Sequence, residues 1–418
     1  LLFLPPIVNS DINIKELFQE ENGGAAALFT PSKTYTALGP TQFPKPTDIF
    51  DNDNDAVIVL EPTYGKHRPT MDAVMAYAEG YDLVHYLVFI NTLKNTGFDG
   101  DIVLAVSSTK DLQDDVIEFL TSCDTCVIYA MDFVCSSDGF KTIDNRKTDN
   151  GGMMSFQQCK SDYMYGIPSE GVMKPMADPR KVRVVATLRY ELYWIWSTRY
   201  TSNSWIMLLD ARDSYFQSNP FVNLPRSSDT TEDGALYFFG ENVNATRIGK
   251  SPKNRKWIER AYSLGVLEQM REKPTICSGS TMGEQIALEA YLRAMVNEWD
   301  ETHIFMKGAD QGFHNYLYYS NKLANIQSIK SITVFDQGYG IINNLGALRD
   351  RKLSDLGIYS KTSKNTTKND TGYPIIYNWN GILSPVVHQW DRDKEIYNYM
   401  TFFWFHKLTN DHANSKSA

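Results

Sequence analysis

The chain of 418 residues contains no run of about 18 consecutive apolar residues, the length that a membrane-spanning helix needs. Long basic runs are also missing, and the net charge of −9 argues against nucleic acid or an anionic membrane surface as a partner held by bulk charge. The sequence lacks a GxxxxGK phosphate loop, an HExxH zinc motif and a GxSxG nucleophile motif. An anionic small ligand is still compatible with these absences, because a metal ion and a few local arginines reverse the charge at one site.

Cysteine is scarce, with five residues at positions 123, 126, 135, 159 and 277. Cys123 and Cys126 have the spacing of a zinc-ligand pair, but a second pair is absent and no histidine lies close in sequence, which argues against a zinc site. Disulfides formed in an oxidising compartment, with one thiol left over, are therefore the expectation. Buried free cysteines are the alternative.

The composition divides the chain into three parts. Residues 1–50 are rich in Pro, Gly, Thr and Asn, which predicts an extended stem or linker. The opening apolar residues 1–8 are too short to span a membrane and would be the remnant of an anchor or a hydrophobic terminus. Residues 51–406 are expected to form one large domain, and residues 407–418 a polar tail.

Strands and helices are predicted to alternate through that domain. Short apolar runs predict strands, and longer stretches with helical periodicity predict helices. The predicted strands are 56–60, 101–106, 125–130, 205–209, 235–239, 275–277 and 331–335. The predicted helices are 71–95, 111–122, 183–200, 254–271 and 283–299. This alternation favours an α/β fold with a mainly parallel sheet flanked by helices, interrupted by a long polar insertion from 136 to about 180.

One stretch carries most of the functional information. The apolar run from Trp205 to Leu209 predicts a buried parallel strand, which stops abruptly at Asp210, Arg212 and Asp213. Ligands of open α/β sheets bind beyond the carboxyl ends of the strands. Two carboxylates and a guanidinium group at that position favour a hard divalent cation and a phosphate, with an ion pair that closes the turn as the structural alternative.

This stretch resembles the metal-dependent nucleotide-sugar glycosyltransferases of the GT-A fold. The resemblance depends on a DxD-like motif after an apolar strand, followed by an aromatic run and Asn219-Pro220-Phe221. It implies a Rossmann-type sheet in a single catalytic domain, and it makes Asp213 the second, metal-binding Asp. Ala211 stands where the first Asp is expected, so Asp210 or Arg212 would contact the ribose or phosphates, and Asp210 could share the metal.

Five more positions follow from the resemblance on the donor side. Arg189, in the aromatic helix before the motif, matches the basic residue that meets the donor phosphates. Thr63 and Tyr64, in the turn after the first predicted strand, match the nucleoside site. Ser278 and Gly279 match the segment beneath the transferred sugar, where glycine permits close backbone approach.

The resemblance also implies residues for the reaction and the metal. Asp310 and Gln311 match the Asp-Gln motif at the sugar end of the site, and Asp310 would accept a hydrogen bond from the acceptor hydroxyl as a general base or an orienting group. His388 matches a late histidine that completes the metal coordination. Imidazole suits manganese better than calcium, so Mn²⁺ or Mg²⁺ is the expected cofactor.

The expected function is a hexosyl- or pentosyltransferase that moves a sugar from a nucleoside-diphosphate sugar, such as a UDP-sugar, to a hydroxyl of a glycan or glycoprotein. One alternative is a sugar-phosphate nucleotidyltransferase, which would favour a Gly/Arg/Lys-rich loop after its first strand. Ala211 leaves a non-catalytic glycan-binding relative as another.

The sequence also carries three N-glycosylation triplets, beginning at Asn244, Asn365 and Asn369. They favour the lumen of the Golgi or secretory pathway, with a type II membrane anchor absent from this sequence. The cytoplasm is the alternative location. Membrane contact is expected only through that anchor.

Overall fold

The computed structural model describes residues 57–58, 60–136, 158–161, 164–169, 172–176, 182–226, 234–302, 304, 306–349, 351–360 and 374–417. Within these ranges, no helix has the length and the apolar character that crossing a bilayer requires. The predicted stem at 1–50, the acidic segment 51–55 and the triplets at Asn365 and Asn369 lie outside the described residues.

The strands and helices are numbered along the chain. The strands are β1 Val57–Ile58, β2 Ala73–Tyr77, β3 Asp101–Ser107, β4 Cys126–Met131, β5 Phe133–Ser136, β6 Gln158–Ser161, β7 Tyr165–Ser169, β8 Val172–Met176, β9 Arg183–Val184, β10 Trp205–Leu209, β11 Ser214–Phe216, β12 Ala235–Gly240, β13 Ile276–Glu284, β14 Ser331–Phe335, β15 Ile342–Asn344, β16 Tyr359–Ser360, β17 Ile375–Ile376 and β18 Val386–His388. The α-helices are α1 Leu83–Asn95, α2 Asp114–Thr121, α3 Val185–Ser197, α4 Pro252–Ala261, α5 Leu264–Met270, α6 Gln285–Thr302, α7 Ala309–Tyr319, α8 Lys394–Tyr399 and α9 Phe405–Ser417.

A seven-stranded sheet forms the centre of the fold. Its spatial order is β14-β12-β13-β10-β2-β3-β4, and only β13 runs antiparallel to its neighbours. The other four pairings are parallel, as the alternation of strands and helices predicted. Every residue of β10 is buried, because a strand covered on both faces presents no side to water.

Helices cover the sheet on both faces. The aromatic helix α3 packs with α6 and α7 into one apolar cluster, which includes Trp194, Trp196 and Tyr291. Helices α1 and α2 pack into the second cluster, which includes Phe89 and Val116. The expected α/β fold with a mainly parallel sheet flanked by helices is therefore confirmed.

The helix predicted over 71–95 is wrong in its first part. Residues Ala73–Tyr77 form the strand β2 beside β10, and the helix α1 begins only at Leu83. Gly80 lies between them with a φ of +73°, a left-handed conformation that separates the two elements. The apolar residues of the strand and of the helix follow so closely that they imitate one helical periodicity.

The first predicted strand has a different place from the one expected. The described residues Val57 and Ile58 pair antiparallel with β7 in a small separate sheet and do not join the central one. The strand predicted at 275–277 is longer than expected, since it continues to Glu284, and the helix predicted from 283 begins at Gln285. Much of the predicted polar tail is helical, since α9 extends to Ser417.

The cysteines follow the disulfide expectation in the described part of the chain. Cys123 and Cys126 form a disulfide at the turn before β4. Cys159 is disulfide-bonded as well, and Cys135 lies opposite it in the β5–β6 backbone register. Cys277 is a buried free thiol.

Candidate functional site

Two carboxylates and an imidazole meet beyond the carboxyl end of β10. Asp210 and Asp213 follow that strand directly, and β11 then pairs antiparallel with β18, with Ser214 opposite His388. The backbone nitrogen of Gln389 donates to the carbonyl oxygen of Asp213 at 2.8 Å, which extends the pairing. One ligand atom each from Asp210, Asp213 and His388 lies within 4.8 Å of the others, so the cluster could hold a metal ion.

Asn344 fixes the orientation of the imidazole. Its amide nitrogen donates to the carbonyl oxygens of Phe239 and Gly240 at 3.0 and 3.1 Å, so its amide oxygen faces His388. That oxygen lies 2.8 Å from His388 Nδ1, which therefore donates to it. Nε2 of the neutral imidazole then has a free lone pair, directed at Asp213 Oδ1 at 3.5 Å and Asp210 Oδ2 at 3.9 Å.

A bulge in the sheet makes room for this arrangement. Phe238 pairs with Thr281, but two residues later Gly240 pairs with Ile276, so β13 carries extra residues between these pairs. Among them is Gly279, whose carbonyl oxygen accepts a hydrogen bond from the backbone nitrogen of Asp210 at 3.0 Å. A Cβ on Gly279 would lie 2.6 Å from Asp210 Oδ2 and 3.0 Å from His388 Cε1. Only glycine fits this position without displacing the cluster.

Two facing atoms of the cluster have no hydrogen-bond partner in the described structure. They are Asp213 Oδ1 and His388 Nε2, on side chains that are 5% and 1% exposed. Two buried acceptors at 3.5 Å are unfavourable unless a cation or a proton lies between them. Burial by itself would lower the pKa of His388, but the Asp213 carboxylate raises it well above its ordinary value. Burial by itself would raise the pKa of Asp213, but His388 lowers it below its ordinary value. The donor set therefore fits a divalent cation that accepts both oxygen and imidazole ligands.

The cluster opens into a cavity of about 400 Å³. Four cationic side chains line it, Arg189, Arg212, Lys307 and Arg392, together with Asp210 and Asp213. Tyr77, Glu79 and Tyr81, which follow or end β2, also line it. A cavity that combines several cations with a carboxylate pair can bind an anion and a metal ion together.

Arg189, which lines this cavity, connects two carboxylates. Its Nη1 pairs with Asp210 Oδ1, and its Nη2 donates to Asp310 Oδ2 at 3.0 Å. The side chain of Arg189 is 13% exposed, so the pairing is largely shielded from water. Burial raises the pKa of Asp310, and the Arg189 guanidinium opposes that shift. Arg189 therefore leaves one oxygen of Asp210 available for the cluster.

The expected sugar-end residues meet at the start of α7. Ser278 Oγ donates to Asp310 Oδ2 at 3.1 Å. The amide of Gln311 bonds to the β13 backbone, with its oxygen accepting from Ser278 N at 2.7 Å and its nitrogen donating to Ile276 O at 2.8 Å. Gln311 thus anchors the helix to the strand, and Asp310 is the member of the pair that reaches Arg189.

Arg212 and Arg392, which both line the cavity, share the carboxylate of Asp391. Arg212 Nη2 lies 3.5 Å from Asp391 Oδ2, which also pairs with Arg392. Arg392 Nη2 is in addition 3.6 Å from Asp213 Oδ2. Arg212 is 53% exposed, so it is accessible from the cavity, while Asp210 and Asp213 form the cluster with His388. Ala211, which replaces the expected first Asp, is buried in the core.

Thr63 and Tyr64 lie away from this cavity. The backbone nitrogens of both residues donate to Ile128 O, at 2.7 and 3.2 Å, on the edge strand β4. Strands β2 and β3 separate β4 from β10, which corresponds to about 14 Å across the sheet. The structure therefore does not bring Thr63 and Tyr64 together with the cluster, because the strand before them is not the central one.

Five polar or charged cavity residues were not predicted, namely Tyr77, Glu79, Tyr81, Lys307 and Arg392. For the first three, the available signal was the short apolar run at 73–76 followed by Gly80, which also fits a strand and a turn. Lys307 and Arg392 lie within three or four residues of Asp310 and His388. Proximity to those motifs was the signal that could have identified them.

No protein-family model matches the chain, and no curated protein sequence matches it. Among solved structures, the galactosyltransferase LgtC in complex with donor and acceptor sugar analogues is similar, with 12% identity and a TM-score of 0.38. An active-site mutant of LgtC has 11% identity and the same TM-score. Each alignment covers 82% of this chain and 96% of the other chain. A likeness of this size carries no information on what the chain binds.

Proposed function

We propose that this protein is a metal-dependent glycosyltransferase that uses a nucleoside-diphosphate sugar, with UDP as the nucleotide, and glycosylates a hydroxyl of a glycan or glycoprotein. One observation supports this most directly. Asp213 Oδ1 and His388 Nε2 are buried, lack hydrogen-bond partners in the described structure, and face each other beside a cavity lined by cations. A phosphate-bearing ligand with a divalent cation complements both features at once.

The metal site comprises Asp210, Asp213 and His388. Their two carboxylates and one imidazole suit Mn²⁺, and Mg²⁺ is the alternative. The bound ion would neutralise charge on the diphosphate leaving group as the bond to the sugar breaks. Asn344 keeps Nδ1 of His388 protonated and Nε2 directed at the site, and Arg189 holds Asp210 by its other oxygen.

The remaining cavity residues are assigned to the donor. Arg212, Lys307 and Arg392 meet the phosphates, with Arg189 behind them. Tyr81, beside the end of β2, stacks on the base or contacts the ribose and takes the place expected for Thr63 and Tyr64. Ser278 and Gly279 lie beneath the transferred sugar, and Gln311 holds Ser278 in place. Asp310, which accepts a hydrogen bond from Ser278, faces the reacting sugar and accepts the hydrogen bond of the acceptor hydroxyl as a general base or an orienting group.

The secretory pathway is the proposed location. The disulfide between Cys123 and Cys126 supports an oxidising compartment, and the triplet at Asn244 has an exposed asparagine, as glycosylation requires. A membrane anchor outside this sequence remains part of the proposal.

Ligand binding is tested by thermal shift with UDP, GDP and their sugars, each with and without Mn²⁺. Ligands that bind the folded state raise the melting temperature, so the correct nucleotide shows a shift that depends on the metal. Turnover is tested by following hydrolysis of the sugar donor. We expect Asp213→Asn to abolish the metal-dependent shift and the hydrolysis.

Asp124→Asn is the matched control, because Asp124 is 79% exposed and pairs only with Lys94 in the described structure. It removes the same charge and should leave binding unchanged. Wild-type protein that shows no metal-dependent shift with any nucleotide would refute the proposal. Metal-independent glycan binding without turnover would instead indicate a non-catalytic relative.

A further inference from the structure

Glu241 lies at the same edge of the sheet as the metal cluster. Strands β10 and β12 both run antiparallel to β13, so their carboxyl ends point the same way. Glu241 directly follows β12, and its backbone nitrogen donates to Thr275 O at 2.8 Å. Only β13 separates β12 from β10, which corresponds to about 10 Å between their ends.

The side chain of Glu241 is half-buried and has neither a hydrogen bond nor an ion pair within the described part of the chain. The charged groups that act on it are cationic, namely Arg349, His388 and Arg392. Burial outweighs them and raises the pKa of Glu241 to about 7. A carboxylate that served the fold would be paired with one of these cations, since an unpaired, partly desolvated carboxylate destabilises the folded state. Such groups occur preferentially at functional sites.

Its position excludes two roles for Glu241. It is not a member of the cluster formed by Asp210, Asp213 and His388, so it is not assigned to the metal. A phosphate would be repelled by its charge and is attracted to the cations around the cavity instead. The hydroxyl groups of a sugar are the ligand groups that suit Glu241, because a carboxylate accepts their hydrogen bonds through both oxygens.

We propose that Glu241 binds a hydroxyl group of the acceptor, a carbohydrate that lies across the β13 bulge from the metal cluster. This inference depends on the proposed function, because it assigns the second substrate of the same site. The Ser278–Gly279 segment lies between the two groups along the edge, which places the transferred sugar between the metal ion and the acceptor.

The test compares wild-type protein with Glu241→Gln, which keeps the shape of the side chain and removes its charge. The acceptors are the methyl glycosides of glucose, galactose, mannose, xylose and N-acetylglucosamine, and the donor is the nucleotide sugar that gives the largest thermal shift. Transfer to the best acceptor and hydrolysis by water are measured together with Mn²⁺. Glu272→Gln is the matched control, because Glu272 is an exposed glutamate three residues before Thr275.

We expect Glu241→Gln to raise the KM for the acceptor by about 10- to 100-fold, the loss of one hydrogen bond to a charged group. The KM for the donor and the rate of hydrolysis should stay within about twofold of wild type, since water needs no such contact. An unchanged acceptor KM would overturn the inference, and so would a parallel fall in hydrolysis and transfer. Wild-type protein that neither binds nor hydrolyses a donor would refute the proposed function itself. That result differs from both outcomes that would overturn the role of Glu241.

Discussion

Gly279→Ala is expected to weaken metal binding while changing the stability of the protein little. The new Cβ would lie 2.6 Å from Asp210 Oδ2, whereas ordinary contacts begin near 3.4 Å, so the carboxylate has to move by about 0.8 Å. Metal–ligand distances tolerate only about 0.2 Å. Because His388 Cε1 is also approached to 3.0 Å, two of the three proposed ligands are disturbed together. We expect Mn²⁺ affinity to fall by about 10- to 100-fold, as it does when groups that support a metal site are altered.

The stability of this variant should change little. Asp210 is 36% exposed, so it can swing toward solvent, and the cost should lie near the lower end of the roughly 1–3 kcal/mol typical of overpacking. Gly283→Ala on the same strand is the matched control. Its Cβ would lie 2.8 Å from the backbone oxygen of Ala235 and 3.0 Å from Leu236 Cδ1, neither of which belongs to the cluster. This control should lose more stability, near the upper end of that range, and bind Mn²⁺ normally.

The two variants are compared by Mn²⁺ titration in the presence of UDP and by urea unfolding. The expected result is a crossed pattern, in which Gly279→Ala is the weaker binder and Gly283→Ala the less stable protein. Mn²⁺ binding by Gly279→Ala within about twofold of wild type would refute the assignment of Asp210 as a ligand. Loss of binding in both variants in proportion to their stability would refute the geometric reasoning.

Three further outcomes are expected. Because Asp213 raises the pKa of His388 in the metal-free protein, Mn²⁺ must displace a proton, and the affinity for Mn²⁺ should increase about tenfold per pH unit below that pKa. Calorimetry in buffers of different ionisation enthalpy measures the proton release. Lys322→Met should cost about 3–5 kcal/mol in urea unfolding, because it leaves the 1% exposed carboxylate of Glu298 without its cation, and Glu298→Gln in the same protein should recover part of the loss. Glu241→Gln should stabilise the protein above pH 7. Between the ordinary pKa of 4.5 and the raised pKa of about 7, the folded state binds more protons than the unfolded state, so wild-type stability falls across that window by at most about 3 kcal/mol. Melting curves at pH 5 and 8 should therefore show a higher melting temperature for the variant than for wild type only at pH 8.

The sequence predicted the strand that carries the site because its signal is local. Trp205 to Leu209 are uninterruptedly apolar, and Asp210 ends that run within one residue. Both the strand and the end at which the cluster lies are therefore visible in a short window of sequence. The late histidine could be named from its order in the chain. Its orientation could not, because Asn344 acts on it only through the register of β15 with β18 and the bulge between β12 and β13.

The cavity residues near Tyr81 belong to the part of the site that the sequence did not predict. The pattern of residues 73–77 fits a strand and the first turns of a helix equally well, and the predicted helix omits the strand that borders β10. Thr63 and Tyr64 lie at the edge strand β4, a position that the sequence does not predict, because apolar residues identify a strand but not its neighbours. Pairing partners are set by the whole sheet, and a single sequence without that information leaves them open.

The proposed function, together with the charges around the cluster, predicts that the metal ion and the nucleotide bind cooperatively. Exchanging the proton on His388 for a divalent cation makes the cluster one unit more positive, at a place where Arg212 and Arg392 are otherwise held by Asp391 and Asp213. A diphosphate gains from that added charge, and binding free energies are reciprocal, so Mn²⁺ should tighten UDP by the same factor by which UDP tightens Mn²⁺. Titrating each ligand in the presence and absence of the other measures both factors. Uridine, which has no phosphate, should show no such coupling, and equal coupling for uridine and UDP would mean that the phosphates do not lie beside the metal.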